Sequence, residues 1–153
     1  MPCLYLKKTM NPIDFYILHT SSMQASDHFV CRLANKVWHQ GYRVYIQCDS
    51  FERAERLNVK LWTFKDESFL PHDIYPNASA IAESPILIGY TEQVREGMEV
   101  LINLSETVPR FFEPFKRIAD IVENSPALRE KGRNRYRFYK NKNYELKVHD
   151  INR

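Results

Sequence analysis

The sequence predicts an α/β fold: a single three-layer domain whose mostly parallel (mixed) sheet carries helices on both faces. Two observations predict it. Short apolar, β-branched runs alternate along the chain with longer segments of helical spacing, the pattern of strand–helix–strand crossovers. Residues that start and stop helices also fall at the junctions between those segments.

The elements follow in order. IDFYILHT, residues 13–20, is a compact apolar run and predicts a buried first strand. Ser26 or Asp27 is placed to cap a helix running to Gln40, with Phe29, Val30, Leu33, Ala34, Val37 and Trp38 on helical spacing. Gly41 follows where a helix usually ends in a left-handed residue. RVYIQC, residues 43–48, is the second strand, and Asp49 or Ser50 opens a helix with Ala54, Leu57 and Leu61 on one face. The next stretch, LWTFKDESFLPHD, is too broken for an ordinary strand, and Pro71 ends any helix before it. A polar loop, YPNASAIAES, leads to a third strand at residues 85–90 and a fourth at 98–104. Those two have no room for a helix between them, so an antiparallel or irregular connection is expected there. Residues 108–116 read as a short helix interrupted by prolines, and RIADIV, residues 117–122, is a fifth strand. Ser125 and Pro126 then stand at the cap and first helical position of a basic helix.

Composition excludes several classes. Apolar residues make up 44% of the 153 and charged residues 27%, the balance of a folded domain rather than a disordered chain. No apolar run approaches the roughly 20 residues that cross a bilayer, and the N-terminus MPCLYLKKTM lacks a secretory pattern. The three cysteines, Cys3, Cys31 and Cys48, are widely spaced, as in a reducing, cytoplasmic setting. Formal net charge is +3, but residues 129–147 carry eight basic side chains against two acidic ones. That segment is +6 and the rest of the chain −3, an asymmetry that suggests an acidic partner at one end.

Catalytic signatures are absent. A nucleotide site in such a sheet needs glycines after the first strand, so that backbone N–H groups can approach phosphate. Here that position reads HTSSMQAS, and the whole chain has four glycines. The five histidines show no ligand spacing, and there is no nucleophile-elbow motif. No cofactor and no metal is expected.

Two surfaces stand out. In LWTFKDESFLPHD, Trp62 and Phe69 either close the core beneath a loop or form an apolar partner patch rimmed by charge. On the basic helix, Arg129, Arg133, Arg137 and Lys140 form one stripe with Tyr136 beside it. That stripe is a solvated face, a contact for single-stranded nucleic acid with tyrosines stacking on bases, or a receptor for an acidic peptide and its terminal carboxylate.

Four stretches, NPIDFYIL, VCRLANKVWHQGYRVYIQC, LWTFKDESFLPHDI and RNRYRFYK, occur in an order and spacing that resembles the chi subunit family of bacterial DNA polymerase III. The resemblance runs from about residue 11 to about residue 144. It divides the chain into an N-terminal extension (1–9), a chi-like domain (10–144) and a C-terminal tail (145–153). It implies a nucleotide-binding-like sheet without a phosphate loop, in a non-catalytic accessory subunit of the holoenzyme. Trp62 and Phe69 match the positions such proteins use toward the psi subunit, a surface also implicated in binding a competing repair helicase. Arg133, Tyr136 and Arg137 match positions that hold the acidic C-terminal tail of single-stranded DNA-binding protein, with Arg129 and Val122 as neighbours. The rival expectation is direct binding of single-stranded nucleic acid by the same helix. A replisome location in the cytoplasm is implied.

Overall fold

The computed structural model describes residues 12–20, 22–63, 72–76 and 84–151. The chain order is β1 (Ile13–Leu18), α1 (Met23–His39), β2 (Val44–Gln47), α2 (Phe51–Thr63), β3 (His72–Tyr75), β4 (Ile86–Gly89), β5 (Val100–Asn103), β6 (Arg117–Val122), α3 (Pro126–Asn141) and β7 (Leu146–Ile151). The strands form one sheet in the order β3-β4-β2-β5-β6-β1-β7. Every neighbouring pair is parallel.

Burial on both faces explains why the central strands read as unbroken apolar runs rather than alternating ones. One face packs Val30, Cys31 and Ala34 of α1 and Ala54, Leu57 and Leu61 of α2 against Leu18, Val44, Ile46, Ile88 and Ile102. The other packs Tyr139 of α3, with Phe112 and Phe115 of the preceding connection, against Ile13, Phe15, Leu101, Ile118 and Val122. A three-layer domain results, with α1 and α2 on one side and α3 on the other.

Several expectations are corrected. α1 begins earlier than predicted: its cap is Ser22, whose side chain accepts from the Ala25 N–H at 3.2 Å. Ser26 and Asp27 lie inside the helix and are buried. Asp27 is drawn inward because Arg53 and Arg56 of α2 donate to its carboxylate at 3.0–3.2 Å. Residues 108–116 form turns rather than a helix, as three large rings, Phe111, Phe112 and Phe115, turn into the core. β4 and β5 are joined by an irregular connection but are not antiparallel; both flank β2, which pairs Val44 with Ile86 on one side and Val100 on the other. Two edge strands carry no apolar strand pattern in the sequence. β3 takes up the end of the broken LWTFKDESFLPHD stretch, and β7 occupies residues expected as a tail. The cap of α3 is as predicted, with the Ser125 side chain accepting from the Leu128 N–H and proline at the start of the helix.

β6, β1 and β7 are tied by a polar cluster on the α1 face. Asp14 accepts from Arg117 Nη2 at 2.7 Å and from His149 Nε2 at 2.9 Å. Burial alone would raise the Asp14 carboxyl; the His149 and Arg117 hydrogen bonds and charges outweigh it and hold the group below its usual range. A carboxyl depressed by folding stabilises the native state above its unfolded pKa, and that stability is lost as pH falls through the folded value. Asp14→Asn is therefore expected to lower the urea midpoint at pH 7. Its difference from the unmutated chain should shrink once pH drops below about 3.9. Equal midpoints at pH 7 would show that the cluster contributes nothing.

Candidate functional site

Helix α3 starts where β6 ends, so its first turns lie over the carboxyl ends of β6, β1 and β7. Gly132 lets it sit close: a Cβ there would come within 2.9 Å of Val122 Cγ1. Beside this contact runs an open groove of about 180 Å³, lined by Phe15, Ile17, Val122, Arg129, Gly132, Arg133, Tyr136 and Val148. Parallel pairing assembles its floor, because Ile17 neighbours Val122 across one ladder and Phe15 neighbours Val148 across the other. Tyr136 walls the groove with its ring edge-on to Phe15 at 5.4 Å.

The structure thus brings Val122, Arg129, Arg133 and Tyr136 together around one concavity. Arg137 does not line it; that side chain is exposed and donates to Asn134 Oδ1 at 2.6 Å. Phe15, Ile17, Gly132 and Val148 are lining residues that sequence reasoning missed. Val148 is 53% exposed on an edge strand that carried no apolar pattern, so nothing local signalled it.

The electrostatics suit an anion with an apolar end. Arg129 stands in the first turn of α3, where the helix dipole is also positive. Arg133 is more than half exposed and pairs with the equally exposed Glu130 at 3.0 Å, a pair that a better acceptor displaces at little cost. The floor is aliphatic and aromatic. A carboxylate at the arginines with an apolar side chain on the floor would satisfy both halves. A larger hollow of about 590 Å³ on the other flank of α3 has a mixed lining, with Glu106 and Glu113 beside Arg110, Lys131 and Lys142, and Lys131 already pairs with Glu106 at 3.3 Å.

The crevice at the carboxyl ends of the central strands, where such sheets often bind ligands, holds ion pairs. Arg53 bridges Asp27 of α1 and Glu123 after β6 at 3.0 Å each. Asp120, Arg135 and Asn103 form a second buried group beside it. Among the described residues, no cluster of histidine, cysteine or carboxylate is placed to hold a metal ion.

Trp62 lies on the opposite face of the sheet. It is 49% exposed near the end of α2, with Val59 also exposed one turn earlier. Its ring lies 4.5 Å from that of His72 on edge strand β3. Phe69 falls outside the described residues. The Trp62 surface, beside β3, and the groove, centred on β1, therefore lie near opposite edges of a seven-stranded sheet, roughly 24 Å apart at the usual strand spacing.

Comparison with known proteins gives a consistent result. Residues 10–147 match the family described as DNA polymerase III chi subunit, HolC. A DNA polymerase III subunit chi from Pseudomonas aeruginosa is 35% identical over 144 residues, covering 94% of this chain and 99% of that protein. Its Escherichia coli counterpart is 28% identical over 142 residues, covering 90% and 96%. Among solved structures, the crystal structure of T4 UvsW superposes with a TM-score of 0.66 at 7% identity. It covers 93% of this chain but only 41% of that one, a likeness of fold alone.

Proposed function

Since the chain belongs to the DNA polymerase III chi subunit family and is thus a replication accessory subunit of that polymerase complex, we propose that it is a non-catalytic adaptor with two separate docking surfaces. One surface, around Trp62 and Phe69, meets the psi subunit of the clamp loader, in competition with a repair helicase. The other is the α3 groove, which takes the acidic C-terminal tail of single-stranded DNA-binding protein. The protein would so connect the clamp loader to the coated lagging strand in the cytoplasm.

One observation carries the reading: Val122, Arg129, Arg133 and Tyr136 converge on a single concavity with cationic walls and an apolar floor. The chemistry follows from that pairing. A guanidinium holds a carboxylate through parallel N–H···O bonds, while the apolar side chain next to the carboxylate is desolvated below. Upstream aspartates meet Arg137 and Lys140 on the exposed stripe. The location of the groove far from Trp62 supports simultaneous engagement of both partners.

The test is titration of the purified chain with a labelled acidic peptide ending in an apolar residue with a free carboxylate. The same peptide amidated at its C-terminus is the control. Micromolar binding that amidation abolishes is the expected result. Binding of single-stranded DNA alone, steeply weakened by salt, with neither peptide bound, would make α3 a nucleic-acid contact instead.

A further inference from the structure

The two arginines of the groove are held differently, and the difference traces to one side chain. Asn124 lies in the turn between β6 and α3. Its Oδ1 accepts from Arg129 Nε at 3.2 Å and from Arg129 Nη2 at 3.0 Å. Its Nδ2 donates to the His19 carbonyl at 3.3 Å, beyond the end of β1. Arg129 Nη2 also donates to the Leu18 carbonyl at 3.1 Å and lies 3.4 Å from His19 Nδ1. The Nε/Nη2 edge of the guanidinium is thereby committed to the protein, and the Nη1 edge is what remains for a ligand.

Among the described residues Arg133 has no such harness: it meets Glu130 in an exposed pair. A long side chain fixed before binding loses less freedom when it binds. We infer that Asn124 is the positioning residue of the groove, locking Arg129 so that its Nη1 edge presents a fixed donor to the ligand carboxylate while Arg133 closes on it as a mobile arm. This rests on the reading of the groove as a carboxylate site.

Unlike a merely structural residue, Asn124 acts only through Arg129. Four chains are compared with the free-acid and amidated peptides: the unmutated chain, Asn124→Ala, Arg129→Ala and the double variant. Asn124→Ala should weaken free-acid binding about tenfold and narrow the difference between the two peptides. In the Arg129→Ala background it should change nothing further. An equal loss in both backgrounds, or no loss in either, overturns the role of Asn124. An unmutated chain that binds neither peptide overturns the groove reading itself.

A second measurement needs no variant and so does not depend on Asn124→Ala folding. The Nε–H resonance of Arg129 should be protected from solvent exchange in the free protein and little changed when the peptide is added. Protection that appears only with the peptide would show that Arg129 is not pre-positioned.

Discussion

Arg135→Ala is expected to lower stability by about 3–5 kcal/mol and the thermal midpoint by about 6–20 °C. Arg135 belongs to the basic run of α3, yet its side chain is 5% exposed and the Asp120 it meets is 0% exposed. Its Nε lies 3.0 Å from both Asp120 oxygens, Nη1 donates to the Glu106 carbonyl at 2.9 Å, and Nη2 to the Ile121 carbonyl at 3.3 Å. Asn103 adds a longer bond to Asp120 at 3.4 Å and is itself held through Ser105 and the Thr107 carbonyl. Burial pushes the Asp120 carboxyl up, opposed by Arg135 and then Asn103.

Removing the guanidinium leaves a carboxylate in the sheet with one weak donor, and leaves two carbonyls short of a partner. The cost is therefore that of an orphaned buried charge, not merely a lost contact. Replacing both partners together, Asp120→Leu with Arg135→Met, should cost much less than Arg135→Ala alone. Differential scanning calorimetry decides it. A drop of under 2 °C for Arg135→Ala would mean that water or a neighbour replaces the guanidinium and that the pair is not structural. Because Arg135 does not line the α3 groove, folded Arg135→Ala should bind the acidic peptide as the unmutated chain does.

The second large effect concerns binding. Arg133→Ala combined with Tyr136→Ala should weaken the free-acid peptide by about a hundredfold, from loss of a charge-assisted bond and of an aromatic wall. Psi binding should be unchanged. Trp62→Ala should do the reverse, reducing psi affinity by roughly 30-fold without changing the peptide titration. The independence follows from placement, since one surface rides on α2 and the other on α3, across the sheet and near its opposite edges. Isothermal titration of each variant with each partner reads both effects. A folded variant of either kind that lost both partners would sink the two-surface model.

Five strands were legible in the sequence because each is largely buried on both faces, so apolar residues dominate it even where single polar groups such as Asp14 or Asp120 interrupt the run. Helix α3 was legible from Ser125 and Pro126, whose capping chemistry is local. β3 and β7 were not. Each pairs on one side only, and HDIY and LKVHDI carry polar residues at positions a central strand would fill with apolar ones. The start of α1 was misplaced because Asp27 has the chemistry of a cap, while its partners, Arg53 and Arg56, lie 26 and 29 residues away.

The sequence by itself determined the α/β class, the basic helix with its stripe of Arg129, Arg133 and Arg137, and the lack of a glycine phosphate loop. Each of these depends on residue type and short spacing. Tertiary structure alone decided that Arg135, two positions from Arg133 and equally charged, turns inward to Asp120 while Arg133 faces the groove. It alone decided that Val148 and Phe15, 133 positions apart, share a floor with Val122. The physical reason is that a groove is made by strands pairing over long separations, and which side of a helix meets buried charge depends on what the sheet beneath it presents.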